Sequence, residues 1–581
     1  MANYFFFYLP AWNLVPVSIH PHAPETHPRM GDFISKYFPA IPPTAFAVVS
    51  VVILFHIANK IFTHFSAPIR KLPGPKSVNW FTGSNARNVW EPDSQHDQLK
   101  WVRQYGHVFR YYSWFNVTKV VTTDLQALSH ILNGPEFEKS DDGRLLLGDM
   151  LGKGLLVVEG LKHKQQRRIM SPAFGLPQIR KYSQLFIEKA NEFRDALTAK
   201  IPQPRTPHDS LRIDIYLWLN KITLDIIGHA GFNYVFGSLH KDEPHEVTEG
   251  FRKATTFDPF NITFMFTIGT ATIPGARLIP TDRSRLLAST VQSLRSLGQS
   301  VISRKKAEIL ATTEAKSDIA KRSIQGRDLL TLLVRANMAK DIPENARMTD
   351  EEVLAQVSTF LLAGHETTTT AIVWAIYALG CHPTAYAKLT TEARGFYTDS
   401  PSMDELNGMT YLDYVTREVL RLHAPVSNTE RVARADVVVP LSEPFIDRDG
   451  VERHDISLRK GDIILIPILA IHQMKSLWGE DADEFKPERW EAIPDAVKAI
   501  PGVFSNLLTF ISGPHACIGY RFSLVEMKAI LFSFVRAFDF ELAVPPSEIS
   551  RKTMVVARPF LASDPDSGPQ LPLIIRPARI D

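Results

Sequence analysis

Cysteine is nearly absent: Cys381 and Cys517 are the two in a chain of 581 residues. Two cysteines cannot staple a chain of this length, which excludes a disulfide framework and reads as a reducing-side catalytic part. Excess charge is missing too. Lys and Arg number 65 against 62 Asp and Glu, a formal net charge of +3, so the overall electrostatics give no signal for nucleic acid. Glycine, at 30, is outnumbered by proline, at 40, which favours rigid turns over flexible linkers. Three familiar signatures are also incomplete. "HETTT" at 365–369 lacks the second histidine of a zinc-protease helix. "GDMLGKG" at 148–154 is no phosphate loop, because its glycines are one residue too close and Gly154 stands where Ser or Thr would meet magnesium. No dinucleotide fingerprint occurs, so a redox enzyme of this sequence takes its reducing power from another protein.

What is present is globular: 45% hydrophobic and 22% charged residues. Near the N-terminus, residues 44–62 read "TAFAVVSVVILFHIANKIF", about one bilayer crossing at roughly 1.5 Å per residue. A basic, proline-bearing hinge at 63–76 follows, with Arg70, Lys71 and Lys76, and the positive-inside rule places the chain beyond it in the cytosol. Residues 1–43 are then luminal or interfacial. They carry Pro10 and Pro16 and no basic leader, so they resemble neither a signal peptide nor a second span. In this topology the sequons at Asn116 and Asn261 stay unmodified.

From 77 to 581 no linker, repeat or low-complexity block divides the chain. Long stretches such as "GLPQIRKYSQLFIEKANEFRDALTAK" have helical period. Short β-like runs, "HVFRYYSW", "VTKVVTT", "DIILIPIL" and "LPLIIRP", gather towards the two ends. The expectation is one large, mainly α domain with small β-sheets, an α+β arrangement. "EAKSDIAKRSIQGRD" reads as an exposed connection.

One cysteine has purposeful neighbours. In "FISGPHACIG", Gly513 and Pro514 make a turn, Gly519 lets the backbone approach a flat ligand, and a helical run follows. That places Cys517 near a helix N-terminus, where N–H groups and the dipole stabilise a thiolate. Phe510 is placed to cover the sulfur side. The stretch resembles the heme-binding loop of the cytochrome P-450 superfamily, F-x-x-G-x-R-x-C-x-G. It matches at Phe510, Gly513, Cys517 and Gly519 and departs at His515, where the family has Arg.

Three further stretches are similar to that family, in its order. "FLLAGHETTTT" holds Ala363, Gly364, Glu366, Thr367 and Thr368 of the oxygen-activation motif. Gly and β-branched residues weaken a helix there, and an opened turn is expected in it. Glu366 and Thr367 form an acid–alcohol pair suited to proton relay, in a helix whose start carries a Thr349–Glu352 capping box. Glu418 and Arg421 share a helical face, and with Arg489 of "FKPERW" they resemble a structural triad that holds the cysteine loop. "EGLKHKQQRRIMSPAF" carries Arg167 of a W-x-x-x-R pattern, with His163 in place of the tryptophan. Arg431 matches another residue that contacts a heme propionate. Cys381 lacks such surroundings and reads as a small buried hydrophobe.

The resemblance implies a cytochrome P-450 fold behind a single transmembrane helix, of microsomal fungal type. It implies heme b with Cys517 as axial thiolate, and His163, Arg167, Arg431 and His515 at the propionates. It implies a monooxygenase on the endoplasmic reticulum membrane, fed by NADPH–cytochrome P-450 reductase or cytochrome b5. Lys162, Lys164 and Arg168 are candidate docking bases. A heme-thiolate isomerase or dehydratase and a non-catalytic heme sensor are the rivals; the Glu366–Thr367 pair argues against both. The substrate lining falls on Leu145, Leu146, Leu147, Phe360, Ala363 and Val426, apolar positions suited to a lipophilic molecule. A terpenoid or other secondary metabolite is expected, with a fatty acid or xenobiotic as the alternative.

Overall fold

The computed structural model describes residues 67–578, apart from 81, 85–93, 203–208, 244, 256–281, 315–327, 339–346 and 554. The expected membrane helix at 44–62, the segment before it, the Asn261 sequon and most of the polar stretch at 314–328 lie outside these residues. Among the described residues no helix is long and apolar enough to cross a membrane. The unit described below begins at Pro68.

The strands are short, in chain order β1 (Val108–Tyr112), β2 (Thr118–Thr122), β3 (Phe137–Glu138), β4 (Leu211–Asp214), β5 (Thr429–Ala433), β6 (Val437–Ile446), β7 (Glu452–Leu458), β8 (Ile463–Ile466), β9 (Phe538–Leu542), β10 (Ile549–Thr553), β11 (Ala557–Leu561) and β12 (Pro572–Pro577). The four β-like runs of the sequence became β1, β2, β8 and β12. A five-stranded sheet has the order β1-β2-β8-β5-β3. Its β2–β8 pairing is parallel, with Lys119 opposite Ile463, although some 340 residues of chain separate the two, so a helical domain is wound between them. β4, β12 and β9 make a second sheet, and β6–β7 and β10–β11 are hairpins.

The helices that build the site are α1 (Leu125–Asn133), α2 (Asp141–Leu151), α3 (Gly160–Met170), α4 (Leu176–Lys200), α5 (Ile215–Phe232), α6 (Asp350–Cys381), α7 (Thr410–Leu422) and α8 (Tyr520–Ala537). The capping box at Thr349 and Glu352 starts α6 as expected. From Val353 to Ile376 every residue of α6 is buried except Ala363, Gly364 and Thr367, which are half-buried. A helix apolar on all sides belongs in a core, and α6 packs on α5 and α8. The glycines of "GDMLGKG" have a packing reason: a Cβ at Gly154 would stand 2.2 Å from the Thr359 hydroxyl of α6.

Gly364 does not open the helix. The turn expected in "AGHETTTT" is absent, and α6 is helical throughout. At the glycine α5 comes close, since a Cβ there would lie 2.7 Å from Ile227 Cγ1. Beside it, Thr223 and Thr369 share a hydroxyl hydrogen bond of 2.7 Å. Gly364→Ala is therefore expected to destabilise by about 1–3 kcal/mol through overpacking, although Ala is the better helix former by about 1 kcal/mol. In an Ile227→Ala background the same change becomes stabilising. Thermal unfolding of the four proteins checks this, and a stabilised Gly364→Ala single variant contradicts it.

Candidate active site

The loop before α8 is built on glycine geometry. Gly513 has φ +71°, and a Cβ there would meet Leu132 O at 2.3 Å, so the loop lies against the end of α1 as only glycine allows. The Cys517 N–H donates to Phe510 O at 2.9 Å, which closes the loop on itself. Gly519 caps α8. The atom that a Cβ on Gly519 would approach most closely is Phe174 Cε1, at 3.8 Å. That is an ordinary contact, so no protein atom demands the glycine. The Cys517 side chain is exposed at the end of this loop. Its surroundings of protein still push the thiol pKa up, against the Gly519 N–H and the Arg167 guanidinium, which lower it.

A buried charge network anchors the loop. Arg421 donates to Glu418 through Nε at 2.9 Å and Nη2 at 2.7 Å, and both side chains have zero exposure. Arg489 Nε at 3.4 Å and Trp490 Nε1 at 3.0 Å complete the carboxylate. The remaining Arg421 N–H groups reach the carbonyls of His472, Ala482 and Glu484. His472 then carries the order onward. Its Nδ1 lies 3.0 Å from Arg421 O, and its Nε2 accepts from the Leu508 N–H at 2.8 Å. The Thr509 hydroxyl donates to Leu420 O at 2.7 Å. Residues 508 and 509, just ahead of Phe510, are thus pinned to α7 and its partners. His472 was not singled out in the sequence; an isolated histidine in an apolar run carries no signal of such a bridge.

The basic residues gather at one place with a carboxylate among them. Arg167 Nη1 donates to Ala516 O, next to the cysteine, at 2.6 Å. Arg431 is buried and donates to Thr429 Oγ1 and Glu430 O. The His515 and His163 rings lie 4.3 Å apart. His515 Nε2 is 3.0 Å from Glu159 Oε2, while its Nδ1, though buried, has no hydrogen-bond partner. Lys139 reaches the same carboxylate at 3.2 Å. Burial raises the Glu159 pKa, but His515 and Lys139 outweigh that and hold it at about 2. Burial, then His515 and Lys139, press His163 down to about 4. Lys139 and Glu159 escaped the sequence reading. Glu159 stood in the quoted "EGLKH", but its partners are distant in sequence.

On α6 the Thr367 hydroxyl donates to Ala363 O at 2.7 Å, leaving its lone pairs to accept. Glu366 is almost wholly buried, and Arg558 of β11 donates to its Oε2 from Nε at 3.0 Å and Nη2 at 2.7 Å. The sequence pointed to an acid for proton relay; the structure places that acid in an ion pair with a residue 192 positions away. Burial lowers the Arg558 pKa, and Glu366 and Tyr216 more than reverse it, so this guanidinium stays charged. A second carboxylate, Glu526 of α8, is fully buried, and burial pushes its pKa well up against the Thr368 side chain.

Comparison with known proteins decides what this arrangement is. The cytochrome P450 family matches residues 73–562. The chain belongs to the cytochrome P450 family. It is 48% identical to cytochrome P450 monooxygenase 205 of Postia placenta over 88% of this chain and 93% of that protein. It is 42% identical to cytochrome P450 monooxygenase 128 of the same fungus, over 92% and 98%. Cytochrome P450 monooxygenase claW of Ampulloclitocybe clavipes is 33% identical over 87% and 92%. The enzyme class is that of a P450 monooxygenase.

The residues present fit the heme-thiolate cofactor that this family implies. Lys139 and Arg431 face one carboxylate, Glu159, and Arg167 stands near His163 and Cys517, so the cluster carries a surplus of positive charge for the two heme carboxylates. Cys517 would hold the iron. A metal deprotonates a coordinating thiol, and the Gly519 N–H and Arg167 stabilise the resulting thiolate. The open side of Gly519 leaves room for a flat ring. For the lining of a P450 pocket, Leu145, Leu147, Ala363 and Val426 are half-buried, and Leu146 is 40% exposed. Phe360 is buried in a stack with Phe174 at 5.3 Å, and Phe174 lies 6.4 Å from Phe522 of α8. Of the docking bases, Lys164 and Arg168 are exposed, but Lys162 is engaged by Glu352 at 2.6 Å. Cys381 is half-buried, and burial raises its thiol pKa against a Tyr377 hydrogen bond.

His472 gives this P450 an acid-sensitive joint. Burial lowers its pKa to about 3, while the unfolded value is about 6.5. Between these pH values the unfolded chain binds the extra proton. The stabilisation is therefore full above pH 6.5 and is lost as pH falls towards 3, the loss amounting to about 2 kcal/mol by pH 5. Thermal midpoints measured from pH 7.5 to 5 should fall more steeply for the native chain than for His472→Gln. Equal slopes contradict the assignment.

Proposed function

We propose that this P450 is a membrane-anchored enzyme that hydroxylates a lipophilic small molecule in secondary-metabolite biosynthesis, a terpenoid being the favoured class. Heme b is the cofactor. NADPH–cytochrome P-450 reductase supplies electrons, with cytochrome b5 as an auxiliary donor, and the catalytic domain stands on the cytosolic face of the endoplasmic reticulum. The apolar segment at 44–62 and the basic hinge after it support the anchor and its orientation. The half-buried apolar positions Leu145, Leu147, Ala363 and Val426 support a lipophilic substrate.

The observation that carries the reaction is the Glu366–Thr367 pair on α6, where a buried carboxylate adjoins a half-buried hydroxyl. The overall chemistry is R–H + O2 + 2 electrons + 2 protons giving R–OH and water. When bound, the heme supplies dioxygen activation and the transfer of one oxygen atom to carbon. The protein manages the two protons. Thr367 Oγ1 donates to Ala363 O, which fixes its orientation and presents its lone pairs to an incoming proton donor. Glu366 Oε2 is taken by Arg558 and Oε1 has no hydrogen-bond partner, so Oε1 is the atom through which a proton passes. Arg558 sets where that atom stands.

Purified protein with reductase and NADPH is expected to consume oxygen and form a product carrying one added oxygen atom. Turnover without NADPH and oxygen would make it an isomerase or dehydratase. Heme binding without turnover on any lipophile would make it a sensor. Glu366→Gln should lower product formation roughly 10²-fold, the usual scale for losing a proton-transfer group. Arg558→Met should fall in the same direction, and Arg558→Lys should recover part of the loss. Product per NADPH, read alongside hydrogen peroxide, checks these, and an unchanged ratio in Glu366→Gln removes the relay.

A further inference from the structure

We propose that Glu159 is a positioning residue for the cofactor. It ties Lys139 to His515 so that the Lys139 ammonium takes the place of the charge that an arginine at 515 would bring to a heme carboxylate. The inference rests on the heme-thiolate assignment and not on any substrate.

Glu159 stands at the N-cap of α3 but makes no side-chain cap. A residue chosen to cap would be Ser, Thr, Asp or Asn. Its carboxylate turns away from its own helix. Oε1 accepts from the Lys139 backbone N–H at 3.1 Å and meets Lys139 Nζ at 3.2 Å. Oε2 meets His515 Nε2 at 3.0 Å. The side chain is 5% exposed, and burying a carboxylate is expensive unless it is paired. Three segments thus meet on one group: the end of β3, the start of α3 and the cysteine loop.

The geometry accounts for the histidine. An arginine is always charged and offers five donors on a long stem. The imidazole is shorter, its Nε2 lies 3.0 Å from Glu159 Oε2, and its ring centre lies 4.3 Å from that of His163, tilted by 44°. What stands beside it is Lys139. Burial works against the charge of this lysine, and Glu159 is the largest influence opposing that. Arg431 and Arg144 are neighbours of like sign, so without Glu159 the lysine would be driven from the site. His515 and Lys139 face Glu159, and His163 is faced by His515, Lys139, Glu159 and Arg167.

The test is heme retention, measured as the rate of heme transfer from the holoenzyme to excess apomyoglobin. The native chain, Glu159→Gln, Lys139→Met, and each variant combined with His515→Arg are compared, and the ferrous–carbon monoxide spectrum is recorded for all. Glu159→Gln and Lys139→Met are each expected to lose heme about 10-fold faster, the lower end for residues that orient a metal site. Their double variant should be no faster than either, and His515→Arg should restore retention in both. The thiolate-type spectrum should persist, because Cys517 is untouched. Native retention in Glu159→Gln overturns the proposal, as does a loss that His515→Arg leaves uncorrected. Should Glu159→Gln fail to fold, Lys139→Met with and without His515→Arg tests the same coupling, with the same two outcomes. A native chain that binds no heme removes the assignment beneath, which is a separate failure.

Discussion

The buried pair of Glu418 and Arg421 holds this structure in register. A buried ion pair is poor evidence of stability, because desolvation offsets the attraction and an apolar replacement of similar volume is often as good. Here no apolar residue would serve. Arg421 spends its remaining donors on three carbonyls of an irregular segment, at His472, Ala482 and Glu484. Each carbonyl is a backbone group that a loop must satisfy if it runs through the interior. Arg489 closes the same segment, donating to Trp478 O and Asp481 O. What the pair supplies is a fixed shape for a segment whose regular structure is one short helical turn at Lys475–Trp478, and through His472 and Thr509 that shape reaches the residues ahead of Cys517.

The chemistry around the cysteine follows from charge in a restricted volume. On one side, cations outnumber the carboxylate among them, so an anionic edge of the cofactor is drawn in. On the other side, an acid is buried against Arg558 and an alcohol is anchored to its own helix. The two sides are linked by packing: Phe174 stacks on Phe360 of α6 and approaches Phe522 of α8.

Much of this was legible in the sequence where chemistry restricts residue type. A thiolate ligand demands cysteine, and Gly513 must take φ +71° against Leu132 O, so the loop could be read from ten residues. The helices and the four β-like runs were legible from period alone. What escaped depended on tertiary pairing. Arg558 is an ordinary basic residue in a β-run until β11 brings it to Glu366. Lys139 and Glu159 look like solvated charges until two chain segments cross. Gly364 was misread for the same reason: a glycine among threonines signals a weak turn in isolation, but Ile227 of α5 fills the space that a side chain would need. The membrane segment at 44–62 remains a reading of hydropathy and charge.

The central claim is that this loop presents Cys517 as the ligand of a heme iron. The most direct measurement is the ferrous–carbon monoxide difference spectrum of the heme-loaded protein and of its Cys517→Ala variant. A thiolate-type band in the native protein that is lost in Cys517→Ala is the predicted result. A thiolate-type band that survives in Cys517→Ala, or a native protein with only an imidazole-type band, would contradict it.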